Sequence, residues 1–87
     1  MSHRPTKIKT FVLSPHSADR MRERNISSTE LREVLDHPDS VIEQGPKWIF
    51  AKSIEGRSDN KIAAVVIEKK EGLWVVITIL VRFEVRK

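Results

Sequence analysis

The sequence predicts a single α+β domain of order β-α-α-β-β-β-β, with two N-terminal helices packed on one face of a twisted antiparallel sheet. Three observations lead there. A short β-branched segment opens the chain, two well-capped amphipathic segments follow it, and the rest divides into apolar runs separated by turn residues. At 87 residues the whole chain, 1–87, is one domain, with residues 1–6 expected as a disordered N-terminal tail.

The first strand is Lys7 to Leu13, which mixes β-branched and aromatic residues. Ser14 and Pro15 then supply an N-cap and a first helical residue whose missing N–H costs nothing. This helix runs to about Arg24, with Ala18 and Met21 as its narrow core-facing edge, and Asn25 is expected as a left-handed residue after its end. Ser27 and Glu30 form the S-x-x-E capping box of the second helix. Leu31, Val34 and Leu35 make its inward stripe, Glu30, Glu33 and Asp36 its outer surface, and Pro38 closes it. Four strands complete the sheet. They are Ser40 to Glu43, Lys47 to Ile54 after a Gly45-Pro46 turn, Ile62 to Glu68 after an Glu55 to Asn60 loop, and Leu73 to Val81. The last two runs are nearly continuously apolar, as central strands are. Phe83 to Lys87 adds a short edge strand. Trp48 and Trp74 are expected on adjacent strands, as core residues rather than base-stacking platforms.

Composition narrows the function. The chain has 16 Lys and Arg against 12 Asp and Glu, a formal net charge of +4, and no cysteine. Disulfides and thiolate metal sites are therefore excluded, and no apolar run approaches the roughly 20 residues that span a bilayer. The N-terminal residues carry charge with no apolar stretch behind them, so a cytoplasmic protein without a membrane association is expected. The charge is uneven: residues 1–24 are net +4, residues 25–60 net −3 and residues 61–87 net +3. Basic ends that meet in the fold would make one polyanion-binding face.

The informative stretch is Ser14 to Arg24. His16, Arg20 and Arg24 stand four apart, so on a helix they form one row, offset from the apolar edge. Three stacked cations repel one another unless an acidic partner or an anionic ligand intervenes, and a phosphate would satisfy all three. A solvated helix face with Asp19 and Glu23 as local partners is the competing reading. Thr78 is the one polar side chain within Leu73 to Val81, on the face expected to carry Trp74, Val76 and Leu80. Its hydroxyl serves either nearby backbone or a ligand. Lys47, Lys52, Arg57 and Arg22 are further cations suited to RNA. His37 reads as a helix-end residue. No metal site or cofactor is expected from the three histidines, which lack ligand spacing.

The order of His16, Ala18, Arg20, Arg24, Asn25, Ile26-Ser27, Pro38 and Ile77-Thr78 resembles an uncharacterised domain family grouped with the RelE, barnase, EndoU and colicin-type ribonuclease folds. The resemblance runs from about Phe11 to Leu80. Two departures from its pattern are Asn25, where glycine is commoner, and Ile79-Leu80, where a tyrosine or arginine often follows the threonine. The resemblance implies a RelE-like or barnase-like sheet and toxin-type, metal-independent RNA cleavage to a 2′,3′-cyclic phosphate. It also implies an antitoxin or other inhibitor protein as a partner. On that reading His16 transfers a proton, Arg20 and Arg24 hold the phosphate and the charge of the transition state, and Thr78 orients the phosphate or the imidazole. A second proton carrier is not evident. Two other functions fit the residues: a nucleic-acid-binding module without catalysis, and a protein-interaction domain, for instance a homodimer formed through an exposed strand edge.

Overall fold

A computed structural model describes residues 10–70 and 73–84. The elements are β1 (Phe11–Leu13), α1 (Pro15–Glu23), α2 (Ser28–Asp36), β2 (Ser40–Gln44), β3 (Lys47–Lys52), β4 (Ile62–Lys70) and β5 (Leu73–Leu80). This is the expected α+β order. The sheet is mixed rather than purely antiparallel: its strand order is β1-β5-β4-β3-β2, and β1 pairs in parallel with β5. The meander β2 to β5 runs back toward the start of the chain, so its last strand lies beside the first.

Local chemistry explains most boundaries. Ser14 caps α1 by accepting from the Ser17 N–H, and its own hydroxyl donates 3.0 Å to the Ile77 carbonyl of β5. One side chain thus starts the helix and fixes it to the sheet. Asn25 takes the left-handed conformation (φ 56°) that ends α1. The capping box is complete, with Ser27 N–H donating to Glu30 Oε1 at 2.8 Å and Glu30 N–H to Ser27 Oγ at 3.1 Å. Gly45 at φ 62° allows the two-residue turn between Gln44 and Lys47, which are directly paired. β3 stops at Lys52, short of Ile54, because the Ile54 backbone N–H and C=O both turn to the Asn60 side chain.

The core lies between the helices and one face of the sheet. Met21, Ile26, Leu31, Val34 and Leu35 pack there against Phe50, Ile62, Ala64, Val66, Trp74, Val76 and Ile79. The buried edge of α1 is Ser17 and Met21, and Ala18 is only half-buried. Ser17 tolerates full burial because its hydroxyl donates 2.9 Å to the Ser14 carbonyl. The two tryptophans belong to this core, on β3 and β5, with β4 between them rather than on adjacent strands. A second, smaller cluster of Ile49, Ala51, Ala63 and Val65 occupies the opposite face, with Ile42, Ile77 and Phe83 packed on it. Phe83 and Glu84 are irregular rather than strand, Phe83 making one backbone bond to the Lys61 carbonyl. The expected tail at residues 1–6 and the remainder of the expected last strand, 85–87, lie outside the described residues. No helix among the described residues is long and apolar enough to cross a membrane.

Candidate nucleic-acid interface

α1 and its C-cap residue, Arg24, carry the row read from the sequence. The helix's buried edge is Ser17 and Met21, so His16, Arg20 and Arg24, each one residue before or three after that edge, fall on its flank toward solvent. His16 and Arg24 are exposed and Arg20 is half-buried. Among the described residues the His16 side chain has no hydrogen-bond partner, and the Arg24 guanidinium makes no salt bridge, although its charge helps to lower the Asp59 pKa. Arg20 makes only a long exposed contact, 3.4 Å to Glu23, of a kind worth little in water. The imidazole and the two guanidiniums are therefore open to an anion. Arg22 points elsewhere and pairs with Asp19 at 3.1 Å.

Thr78 is not part of that surface. β4 and β5 pair Val65 with Thr78 but Val66 with Val76, so Ile77 is an extra residue, a β-bulge. The slip moves Thr78 out of line with Trp74 and Val76. Directly paired residues share a face, and Val65 belongs to the cluster away from the helices, so Thr78 lies with Leu80 on the far side of the sheet from α1. The expectation that Thr78 shares a face with Trp74 and Val76 is thereby corrected, although Leu80 does accompany it.

Arg57 is a structural hub rather than a free cation. Its Nε and Nη2 bond Asp59 at 2.8 and 3.0 Å, its Nη1 reaches Glu30 at 3.2 and 3.3 Å, and its two terminal nitrogens also donate to the Asn25 and Arg24 carbonyls. Its donors are filled, which removes it from the set of RNA-binding candidates. These contacts shape the local titration. The Arg57 hydrogen bond holds Asp59 below the usual carboxylate range, and Asp59 in turn raises the Arg57 pKa. Glu30 turns toward Arg57 and is half-buried rather than lying on the outer surface of α2, and its pKa is lowered, chiefly by the Ser27 N–H and then by Arg57.

The other two cations differ. Lys52 lies 3.8 Å from Asp39, whose other oxygen accepts from the Ser53 N–H; that backbone bond, followed by Lys52 and Lys61, lowers the Asp39 pKa. Lys47 is exposed at the start of β3. Among the described residues no group of three or more His, Asp or Glu side chains is placed to hold a metal ion. Sequence reading missed the roles of Asp39, Asp59 and Asn60, since each acts on a partner that only the folded loop brings near. The Ser58-Asp59-Asn60 run, rich in side chains that bond backbone, was the available signal.

A family model for a domain of unknown function, DUF4258, matches residues 13–81. The chain belongs to the DUF4258 family. The match spans α1, α2 and all of the meander, so the His16, Arg20 and Arg24 row and Thr78 lie within the DUF4258 domain. No curated protein and no solved structure is a match to the chain.

Proposed function

We propose that this DUF4258 domain is a metal-independent endoribonuclease of toxin type that grips RNA along the solvent side of α1. The observation that carries the reading is the row of His16, Arg20 and Arg24, an imidazole and two guanidiniums on one solvent-facing flank, with one weak salt bridge from Arg20 to Glu23 and the charge of Asp59 near Arg24. Phosphates along a strand meet such a row with charge-assisted hydrogen bonds, and each contact releases counterions. The neutral His16 imidazole accepts the 2′-hydroxyl proton as the 2′-oxygen bonds to phosphorus. Arg20 and Arg24 hold the charge that grows on the phosphoryl oxygens. The P–O5′ bond breaks, the leaving 5′-oxygen takes its proton from solvent, and a 2′,3′-cyclic phosphate remains.

The second reading is an RNA-binding domain without catalysis. Thr78 favours it, because a side chain on the far face of the sheet cannot orient an imidazole on α1. Incubation of the protein and of His16→Ala with mixed RNA and with translating ribosomes in EDTA separates the two. Cyclic-phosphate ends, reduced about 10² to 10⁴-fold by His16→Ala, support the nuclease. Intact RNA with retained binding supports the binding module. Absence of both cleavage and binding by folded protein overturns the RNA reading altogether.

A further inference from the structure

A concavity lies away from α1. It is an open cleft of about 840 Å³ where the ends of β2, β3 and β4 meet the segment after β5, a size suited to one nucleotide. Ser40, Ser53 and Ser58 line it, and none of their hydroxyls has a hydrogen-bond partner among the described residues. Lys61 and Arg82 line it too, against the single carboxylate of Glu84, so the lining is net positive. The other acids nearby are already engaged: Asp59 by Arg57, and Asp39 by Lys52 and the Ser53 N–H, with the Lys61 charge acting on it as well.

The backbone holds this arrangement at some conformational cost. Arg82 takes a left-handed conformation, φ 56°, which non-glycine residues disfavour. Its N–H donates to the Asp59 carbonyl at 3.1 Å, and the next residue, Phe83, donates to the Lys61 carbonyl at 3.0 Å. These two bonds carry the chain across the mouth of the β3–β4 loop. They set a cation and an aromatic ring side by side on the cleft wall, with Phe83 half-buried on the far-face cluster. A base stacks on such a ring while its phosphate meets Lys61 and Arg82, and free serine hydroxyls suit the sugar.

The cleft also adjoins the α1 row. Arg57 bonds both the Arg24 carbonyl and Asp59, and the Asp59 carbonyl receives Arg82, so the end of the row and the cleft wall share one hydrogen-bonded loop. We infer that this cleft is a nucleotide subsite, holding a base and its phosphate from the same RNA strand whose neighbouring phosphates lie on α1. The inference deepens the RNA reading above and rests on it.

The test is a titration of the isotopically labelled full chain, followed by amide chemical shifts, with four probes: inorganic phosphate, uridine, uridine 5′-monophosphate and a hexauridylate. The monophosphate is expected to move Ser53, Ser58, Lys61 and Phe83 more than phosphate or uridine does, and the hexauridylate to move these and α1 together. Phe83→Leu, which keeps apolar packing, is expected to weaken hexauridylate binding about tenfold, within the range for loss of one base stack. Arg82→Gly, which relieves the left-handed backbone while removing the cation, is expected to weaken it without unfolding the chain. Hexauridylate shifts confined to α1, with the Phe83 and Arg82 variants binding as tightly as wild type, overturn the subsite and leave the RNA reading standing. Equal responses to phosphate and to the monophosphate reduce the cleft to a simple anion site and overturn it as well. Monophosphate binding in the cleft with no response of α1 to hexauridylate overturns the shared strand and the RNA reading together.

Discussion

The Arg57 guanidinium lies 3.2 Å from the Glu30 carboxylate, joining residues 27 positions apart, with both side chains mostly shielded at 14% and 25% exposure. The pair ties the first turn of α2 to the loop between β3 and β4. Since Arg57 also bonds Asp59 and the carbonyls of Arg24 and Asn25, the same side chain holds the end of the α1 row over that loop. Its loss takes a donor from two carboxylates and two carbonyls, and of the carboxylates Glu30 keeps the Ser27 N–H.

Arg57→Ala is therefore expected to destabilise the fold by about 2 to 3 kcal/mol, the cost of breaking several charge-assisted bonds in a partly shielded site. Arg57→Lys is expected to recover less than half of this, because an ammonium cannot fork between Glu30 and Asp59. Urea unfolding of the two variants measures both. Equal stability of wild type and Arg57→Ala would show that the pair contributes no more than an exposed salt bridge.

Acid is expected to weaken the fold through Glu30, Asp39 and Asp59. All three carboxyl groups sit below their ordinary values, 4.5 for Glu30 and 3.8 for the aspartates. Each therefore binds its proton more readily in the unfolded chain, so its stabilisation is fully present above about pH 5 and is lost as pH falls through the folded-state values. Urea midpoints should be alike at pH 7 and 5 and should fall at pH 4 and again at pH 3. Arg57→Ala should flatten the part of the slope due to Asp59, whose first cause is Arg57. It should leave much of that due to Glu30, whose first cause is the Ser27 N–H.

What could be read from the sequence were the features carried by neighbours in the chain. Ser14-Pro15, Ser27 with Glu30, Asn25 and Gly45-Pro46 each satisfy a backbone group within a few residues, and the helices and turns fall where they place them. The α1 row followed from helical spacing alone. The bulge at Ile77 did not, because an extra residue leaves an apolar run looking unbroken while it moves Thr78 across the sheet. The Arg57 hub and the parallel pairing of β1 with β5 were hidden for another reason: both depend on residues brought together across more than 25 positions, which periodicity does not encode.

The Ser14 hydroxyl does two jobs that a pair of substitutions separates. It accepts from the Ser17 N–H as the α1 cap and donates to the Ile77 carbonyl at the bulge. Ser14→Ala loses both and is expected to cost about 1 to 2 kcal/mol. Ser14→Asp keeps the cap acceptor but has no proton for Ile77, and a charge beside that carbonyl is repelled, so it should fall short of wild type. Thermal or urea unfolding checks the order wild type, then Ser14→Asp, then Ser14→Ala. If Ser14→Asp equals wild type, the bond to the bulge adds nothing beyond the cap.

Arg24 and Arg22 give the sharpest test of the α1 surface, since they differ in direction while both are exposed cations, Arg22 in the last turn of α1 and Arg24 at its C-cap. Arg24 extends the His16 and Arg20 row, whereas Arg22 is off the row and paired with Asp19. Arg57 holds the Arg24 residue through its backbone carbonyl, so removing the Arg24 side chain leaves that bond in place. Arg24→Ala is expected to weaken RNA binding and to reduce the slope of log affinity against log salt by about one, as loss of one phosphate contact does. Arg22→Ala removes the same formal charge and should leave that slope nearly unchanged. Fluorescence anisotropy with a short single-stranded RNA between 50 and 200 mM salt would measure both. Equal changes in the two slopes would mean that the RNA responds to net charge alone, and the row would then have no geometric role.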